Sequence, residues 1–96
     1  MTGVHPTQNQ ALQIVDAGIE DAGGFKGSHA LEQTLSDSGL ATSRQRGDFQ
    51  IALDQAARER NFKLDDIDSV PNDAGTTVKE VRDHVQSHAT AREVNE

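Results

Sequence analysis

Cysteine, tryptophan and tyrosine are absent from this chain of 96 residues, and phenylalanine occurs only three times. Without cysteine there is no disulfide staple, no thiol nucleophile and no thiolate metal ligand. Without Trp or Tyr the core must be assembled from Leu, Ile, Val, Ala and three Phe, which is thin packing material and implies moderate stability. Long apolar runs are missing as well, and the opening "MTGVHPTQNQ" has no basic segment followed by an apolar one, so neither a membrane span nor a secretion signal is expected. Basic residues are also scarce: nine Lys and Arg stand against sixteen Asp and Glu, a formal charge of −7. That balance opposes encounters with nucleic acid phosphates and anionic lipid, and favours basic protein surfaces as partners. The expectation is a cytoplasmic, monomeric protein with no nucleic acid and no membrane among its partners.

What is present is helical patterning. Residues 1–6 form an expected flexible leader, residues 7–88 the folded domain, and residues 89–96 a polar tail that should fray. Thr7 with Gln10 makes a capping box, and Leu12, Val15, Ile19 and Ala22 recur at helical spacing, so a first helix is expected from Pro6 or Thr7 to Ala22, stopped by Gly23-Gly24. Gly18 lies inside it at a cost of up to about 1 kcal/mol relative to Ala, which either marks a close helix approach or is simply tolerated. Between Phe25 and Gly47 the pattern is mixed; Leu31, Leu35 and Leu40 can anchor a long connection, Ser28 can cap a turn, and some helical turn is expected in so long a stretch. "GLATSRQRG", Gly39 to Gly47, is expected to be mobile or extended.

A second helix is expected over about Asp48 to Asn61, with Phe49, Ala52 or Leu53, and Ala56 facing inward and Asp48 capping its start. Phe62 and Leu64 should tuck beneath its end, and Asp65-Asp66-Ile67 opens a short turn that closes before Pro71. Thr77 and Glu80 make another capping box, and Val78, Val81 and Val85 form the stripe of a last helix reaching about His88. No β alternation is evident. The fold class expected is all-α: a small three-to-four-helix bundle with a long first loop.

This order of elements, together with "FKLDDIDSVPNDAGTTVKEVRDHVQSH" from Phe62 to His88, resembles the acyl carrier protein family over about residues 8–88. In that family an aromatic at the end of the second helix precedes an acidic short element, then Thr-Thr-Val and an apolar-striped last helix; here these are Phe62, Asp65-Asp66-Ile67, and Thr76-Thr77-Val78 followed by Val81 and Val85. The resemblance implies an attachment serine for 4'-phosphopantetheine at the start of the second helix. Counting back from Phe62 puts Asp48 at that position, with Gly47 in place of the usual preceding Asp and Phe49 matching the following apolar residue. An aspartate cannot form the phosphodiester. Two upstream serines are alternative attachment points: Ser38, which keeps an Asp-Ser pair with Asp37, and Ser43, in "TSRQ".

The resemblance also implies docking through the second helix, usually an acidic one. Here Arg58 and Arg60 interrupt Asp54 and Glu59, which points to a different face or partner. Arg44, Arg46, Asp48 and Asp54 are the candidate partner-binding residues, and Phe49 and Phe62 the local packing anchors. The tripeptide Arg46-Gly47-Asp48 also resembles a cell-adhesion signal, but three residues are a weak match.

Glu80, His84 and His88 lie one turn apart but lack a fourth donor and an HExxH order, so solvated, hydrogen-bonding roles are expected and no metal site. No nucleophile and base set, phosphate-cradling loop or catalytic residue stands out, so the chain is not expected to be an enzyme. The expectation is a non-catalytic, carrier-protein-like recognition protein that has lost phosphopantetheine and works beside acyl, polyketide or peptide biosynthetic enzymes. The alternatives are a genuine acyl, aminoacyl or peptidyl carrier modified at Ser38 or Ser43, and an unrelated helical adaptor.

Overall fold

The computed structural model describes residues 4–91. Three helices, α1 (Gln8–Asp21), α2 (Ser43–Glu59) and α3 (Val78–His88), are joined by a 3-10 turn at Ile67–Ser69 and by two short strands, β1 (Phe62–Leu64) and β2 (Ala89–Ala91). The strands pair antiparallel, Phe62 opposite Ala91 and Leu64 opposite Ala89. The fold is therefore mostly helical with a small sheet, rather than all-α. Strands of three residues are too short to show a period of two in the sequence, and only the alternate burial of Phe62 and Leu64 around exposed Lys63 reveals it.

All three helices start with the same device. Thr7, Thr42 and Thr77 each accept a hydrogen bond from the backbone amide three residues on, and the side-chain oxygens of Gln10, Gln45 and Glu80 accept one from the threonine amide. Each box satisfies two of the amide donors that a helix start otherwise leaves without partners. The helices then meet through apolar stripes: Ala11, Ile14, Val15 and Ile19 of α1, Phe49, Leu53, Ala56 and Ala57 of α2, and Val78, Val81 and Val85 of α3. Gly18 sits where α1 crosses α2, and a Cβ there would lie 3.0 Å from Leu53 Cδ2 and 3.2 Å from Phe49 Cε1. The close approach is thus the reason for a glycine in mid-helix. It lets the largest fully buried side chain, Phe49, lie against the α1 backbone.

The helical turn expected within residues 22–42 lies over Thr34–Leu40, where the Ser38 amide donates to Thr34 O at 3.0 Å and the Leu40 amide to Leu35 O at 3.0 Å; Ser28 does not cap it, and the Ala30 amide donates to Gln33 Oε1 at 2.8 Å. Order comes from α3. The amides of Val78 and Lys79, donors in its first turn, bond to the carbonyls of Gln33 (2.8 Å) and Leu31 (2.9 Å), while the Leu35 amide donates to Thr76 O at 2.8 Å. Leu35 and Leu40 are then completely buried. The connection is a strap laid across the start of α3.

Both chain ends of the described region are tied down, where a loose leader and a fraying tail were expected. The Ala91 amide donates to Val4 O at 2.7 Å, the His5 ring bonds to Ala89 O through Nδ1 at 2.8 Å, and Pro6 is buried. Residues 1–3 of the leader and 92–96 of the tail lie outside the described residues.

Two glycines give opposite expectations. At Gly24 a Cβ would fall 2.5 Å from Ile19 Cγ2 and 2.7 Å from the Ser38 carbonyl oxygen, whereas at Gly47, inside α2, nothing lies within 4 Å. In urea denaturation Gly24→Ala should destabilise by about 2 kcal/mol through overpacking against backbone, and Gly47→Ala should stabilise by about 0.5–1 kcal/mol by removing a flexible residue from a helix interior.

Candidate functional site

The candidate site is set by where α2 begins. Thr42 Oγ1 accepts from the Gln45 amide at 3.1 Å, Gln45 Oε1 accepts from the Thr42 amide at 3.2 Å, and the Arg46 amide closes the first turn on Thr42 O. The helix therefore starts at Ser43, five residues before the expected Asp48. Asp48 is the sixth helical residue and caps nothing, and "SRQRG" belongs to the helix instead of an extended loop. The T-x-x-Q pattern at Thr42–Gln45 is the same as at Thr7–Gln10 and is readable from sequence. Counting back from Phe62 obscured it.

Moving the start rotates the meaning of each residue. Positions 44, 48, 51, 55 and 58 follow helical spacing along one side, and Arg44, Asp48, Ile51, Gln55 and Arg58 are all exposed. Ile51 is 55% exposed among them, a large apolar side chain with no cover. On the opposite side Phe49, Leu53 and Ala56 are completely buried, so Phe49 anchors the helix as expected, and Phe62 does so from β1. Gly47 adds a flat spot beside Asp48.

Two of the expected contact residues are already engaged. Arg46 is half-buried, and its Nη1 donates to Leu40 O at 3.0 Å, which pins the strap to the first turn of α2. Asp54 Oδ2 accepts from Arg58 Nε at 3.0 Å, one turn along the same helix. Arg46 is a support for the helix start, and Asp54 orients Arg58; the free outer face consists of Arg44, Asp48, Ile51 and Gln55.

The alternative serines separate clearly. Ser38 is completely buried, and its hydroxyl donates to Thr34 O at 2.9 Å while its carbonyl accepts from the Phe25 amide. A phosphodiester there would have to break the turn over Thr34–Gly39. Ser43 is exposed as the first residue of α2, where a helix presents free amides and the positive end of its dipole, which suits a phosphate.

Elsewhere, sequence reading missed a buried contact: Asp16 Oδ1 accepts from both the backbone amide (3.2 Å) and the ring Nδ1 (2.9 Å) of His29, tying the strap to α1. An open cleft of about 260 Å³ lies alongside, lined by Gln13, Asp16, Glu20, Ser28 and Arg60. The other ring nitrogen, His29 Nε2, is sealed and without a partner, so it does not reach the cleft as a base. At the far end, Glu80 is taken up by the cap of α3, and the rings of His84 and His88 stack 4.1 Å apart. Among the described residues no three His, Asp or Glu side chains converge as metal ligands.

Compared with known proteins, the chain matches no family model, no curated protein and no solved structure. Among the described residues no helix is long and apolar enough to cross a membrane.

Because the site depends on its cap, Thr42→Ala should destabilise the protein by about 1 kcal/mol. Hydrogen exchange should locate the loss in the first turn of α2, with amides of α1 unchanged relative to the global change.

Proposed function

We propose that this chain is a non-catalytic recognition protein of carrier-protein-like build, which presents the outer face of α2 to a partner enzyme of acyl, polyketide or peptide biosynthesis. The observation that carries the reading is Ile51. An exposed isoleucine in the middle of a helix face, flanked by Arg44, Asp48 and Arg58, supplies one apolar anchor among charges of both signs. Burial of one such anchor can dominate the affinity of a small interface, while the surrounding charges set orientation and reject wrong partners. The mixed signs suit a partner surface that is itself mixed, unlike the basic patches met by an acidic second helix.

The sequence resemblance over the region from Phe62 to His88 supports the carrier-like build, as does the order of helix, long strap, helix, short turn and helix. Asp48, which the count from Phe62 puts at the family's serine position although it is the sixth residue of α2, lies on the same outer face as Ile51. The partner then reads the scaffold, with no prosthetic arm involved.

One observation favours a second reading. Ser43 is exposed at the first position of α2, the kind of place where a carrier displays its phosphopantetheine serine. In that reading the bundle is a genuine acyl, aminoacyl or peptidyl carrier, and the arm's thiol does the chemistry.

Incubation with coenzyme A and a broad-specificity phosphopantetheinyl transferase, followed by intact mass and peptide mapping, distinguishes the two. The recognition reading expects an unmodified chain; an adduct mapped to Ser43, and abolished in Ser43→Ala, replaces it with the carrier reading. Against purified acyl- and peptide-synthesis enzymes, Ile51→Asp should weaken binding by about tenfold or more, the size expected for loss of an anchor worth above ~1 kcal/mol. Its Tm should stay close to that of the parent chain, since Ile51 is exposed and outside the core cluster.

A further inference from the structure

The end of the molecule opposite the start of α3 gathers three of its four histidines around a single joint. Helix α3 ends at His88 and passes directly into β2 at Ala89, with no intervening loop, the backbone turning at once to extended conformation. Beside the cap bond from the Ala89 amide to Val85 O, the joint is held by the pairing of β2 with β1, the bond from the His5 ring to Ala89 O, and the bond from the Ala91 amide to Val4 O. The last turn of α3, which leads into the joint, carries His84 and His88, whose rings stack at a centroid distance of 4.1 Å and an interplanar angle of 11°.

The hydrogen bonds define which protonation state this geometry accepts. His88 Nδ1 lies 3.1 Å from both His84 O and Ser87 Oγ, and when it carries the ring hydrogen it donates to the carbonyl. His84 Nε2 is sealed from solvent and has no partner among the described residues. An uncharged ring nitrogen tolerates that place as an unused acceptor. An N–H of an imidazolium there is a buried charged donor with nothing to accept it, lying against a second imidazole ring.

We propose that the stacked His84–His88 pair is an acid-sensitive latch on the joint between α3 and β2, closed while His84 is uncharged and opened by its protonation, which frees Ala89–Ala91 from β1. The groups facing His84 are His88, one turn on in the same helix, and Asp66, from the turn that follows β1. His88 is exposed at the C-terminal end of α3. A proton on His84 has to enter the sealed position against the His88 ring. Burial, and after it the neighbouring His88, hold the pKa of His84 below its ordinary value of 6.5, and Asp66 offsets them only in part.

The sign of the pH dependence follows. As pH falls through 6.5 the unfolded or opened segment takes up a proton that the closed form refuses. The closed joint is therefore fully stable above that value and loses stability progressively below it, until the closed form is protonated too. A histidine shifted in this direction acts within the range in which cellular compartments differ in pH.

The test uses the full chain, isotope-labelled. Histidine ring resonances are titrated, and amide protection factors of residues 62–64 and 89–91 are compared with those of Ile14 and Val15 in α1 at about pH 7.5 and about pH 5.5. His84 should titrate below its ordinary value of 6.5, and protection of the strands relative to α1 should fall in acid, by up to about tenfold for each unit by which the His84 midpoint lies below its unfolded value. His84→Phe, which keeps a stacked ring without a titrating group, should abolish the fall; His88→Asn, which removes the neighbouring charge, should reduce it. An unchanged ratio of strand to α1 protection in the parent chain overturns the latch. So does a full acid response in a folded His84→Phe chain. If that variant does not fold, a response in His88→Asn as large as the parent's overturns it.

Discussion

The backbone hydrogen bonds between the strap of residues 22–42 and the start of α3 are the constraint on which the rest of the structure depends. A connection of this length is entropically expensive to order, and the local bonds of Gln33, Thr34 and Ser38 shape its turns without fixing it to the helices. The bonds from Val78 and Lys79 to Gln33 and Leu31 solve two problems together: they seat the strap, and they satisfy amide donors that the first turn of α3 cannot satisfy internally. With the strap fixed, Leu35 and Leu40 reach the core, and the chain arrives at Thr42 already positioned to cap α2. Arg46 then reaches back to Leu40 O and Asp16 holds His29, so the strap is pinned at both ends as well as across its middle.

A core with so few aromatics makes this arrangement necessary. Phe49 is its only completely buried aromatic ring, and it fits because Gly18 lets α1 approach. Aliphatic residues of three helices fill the remainder, and polar contacts at the element ends do the positioning that larger side chains perform elsewhere. The repeated threonine caps belong to the same economy: each fixes where a helix starts, and hence which residues face outward. On α2 that choice puts Ile51 into solvent between Arg44, Asp48 and Gln55.

Much of this was legible in the sequence, and the gaps have physical causes. The boxes at Thr7 and Thr77 and the stripes of α1 and α3 are local, short-range signals, and they located those helices closely. The identical box at Thr42 was legible too, but the family register from Phe62 placed the helix start at Asp48 and left Ser43 in the preceding loop. The seating of the strap on α3, the Asp16–His29 contact and the burial of Ser38 arise from contacts distant in sequence, which spacing does not encode. Strands β1 and β2 exist because each finds the other across a whole helix. The spacing of His84 and His88 was visible, but their stacking over the joint was not.

The outer face of α2 is the surface we propose a partner covers. Replacing Ile51, Gln55, Gln13 and Lys79 one at a time with a photoreactive phenylalanine analogue, in the cells that make this protein, tests it most directly. The account predicts crosslinks from positions 51 and 55 to one biosynthetic enzyme, and none to it from position 13 on α1 or position 79 on α3. Crosslinks to that enzyme from 13 or 79 with silence at 51 and 55, or no crosslinked enzyme at any position, would contradict it.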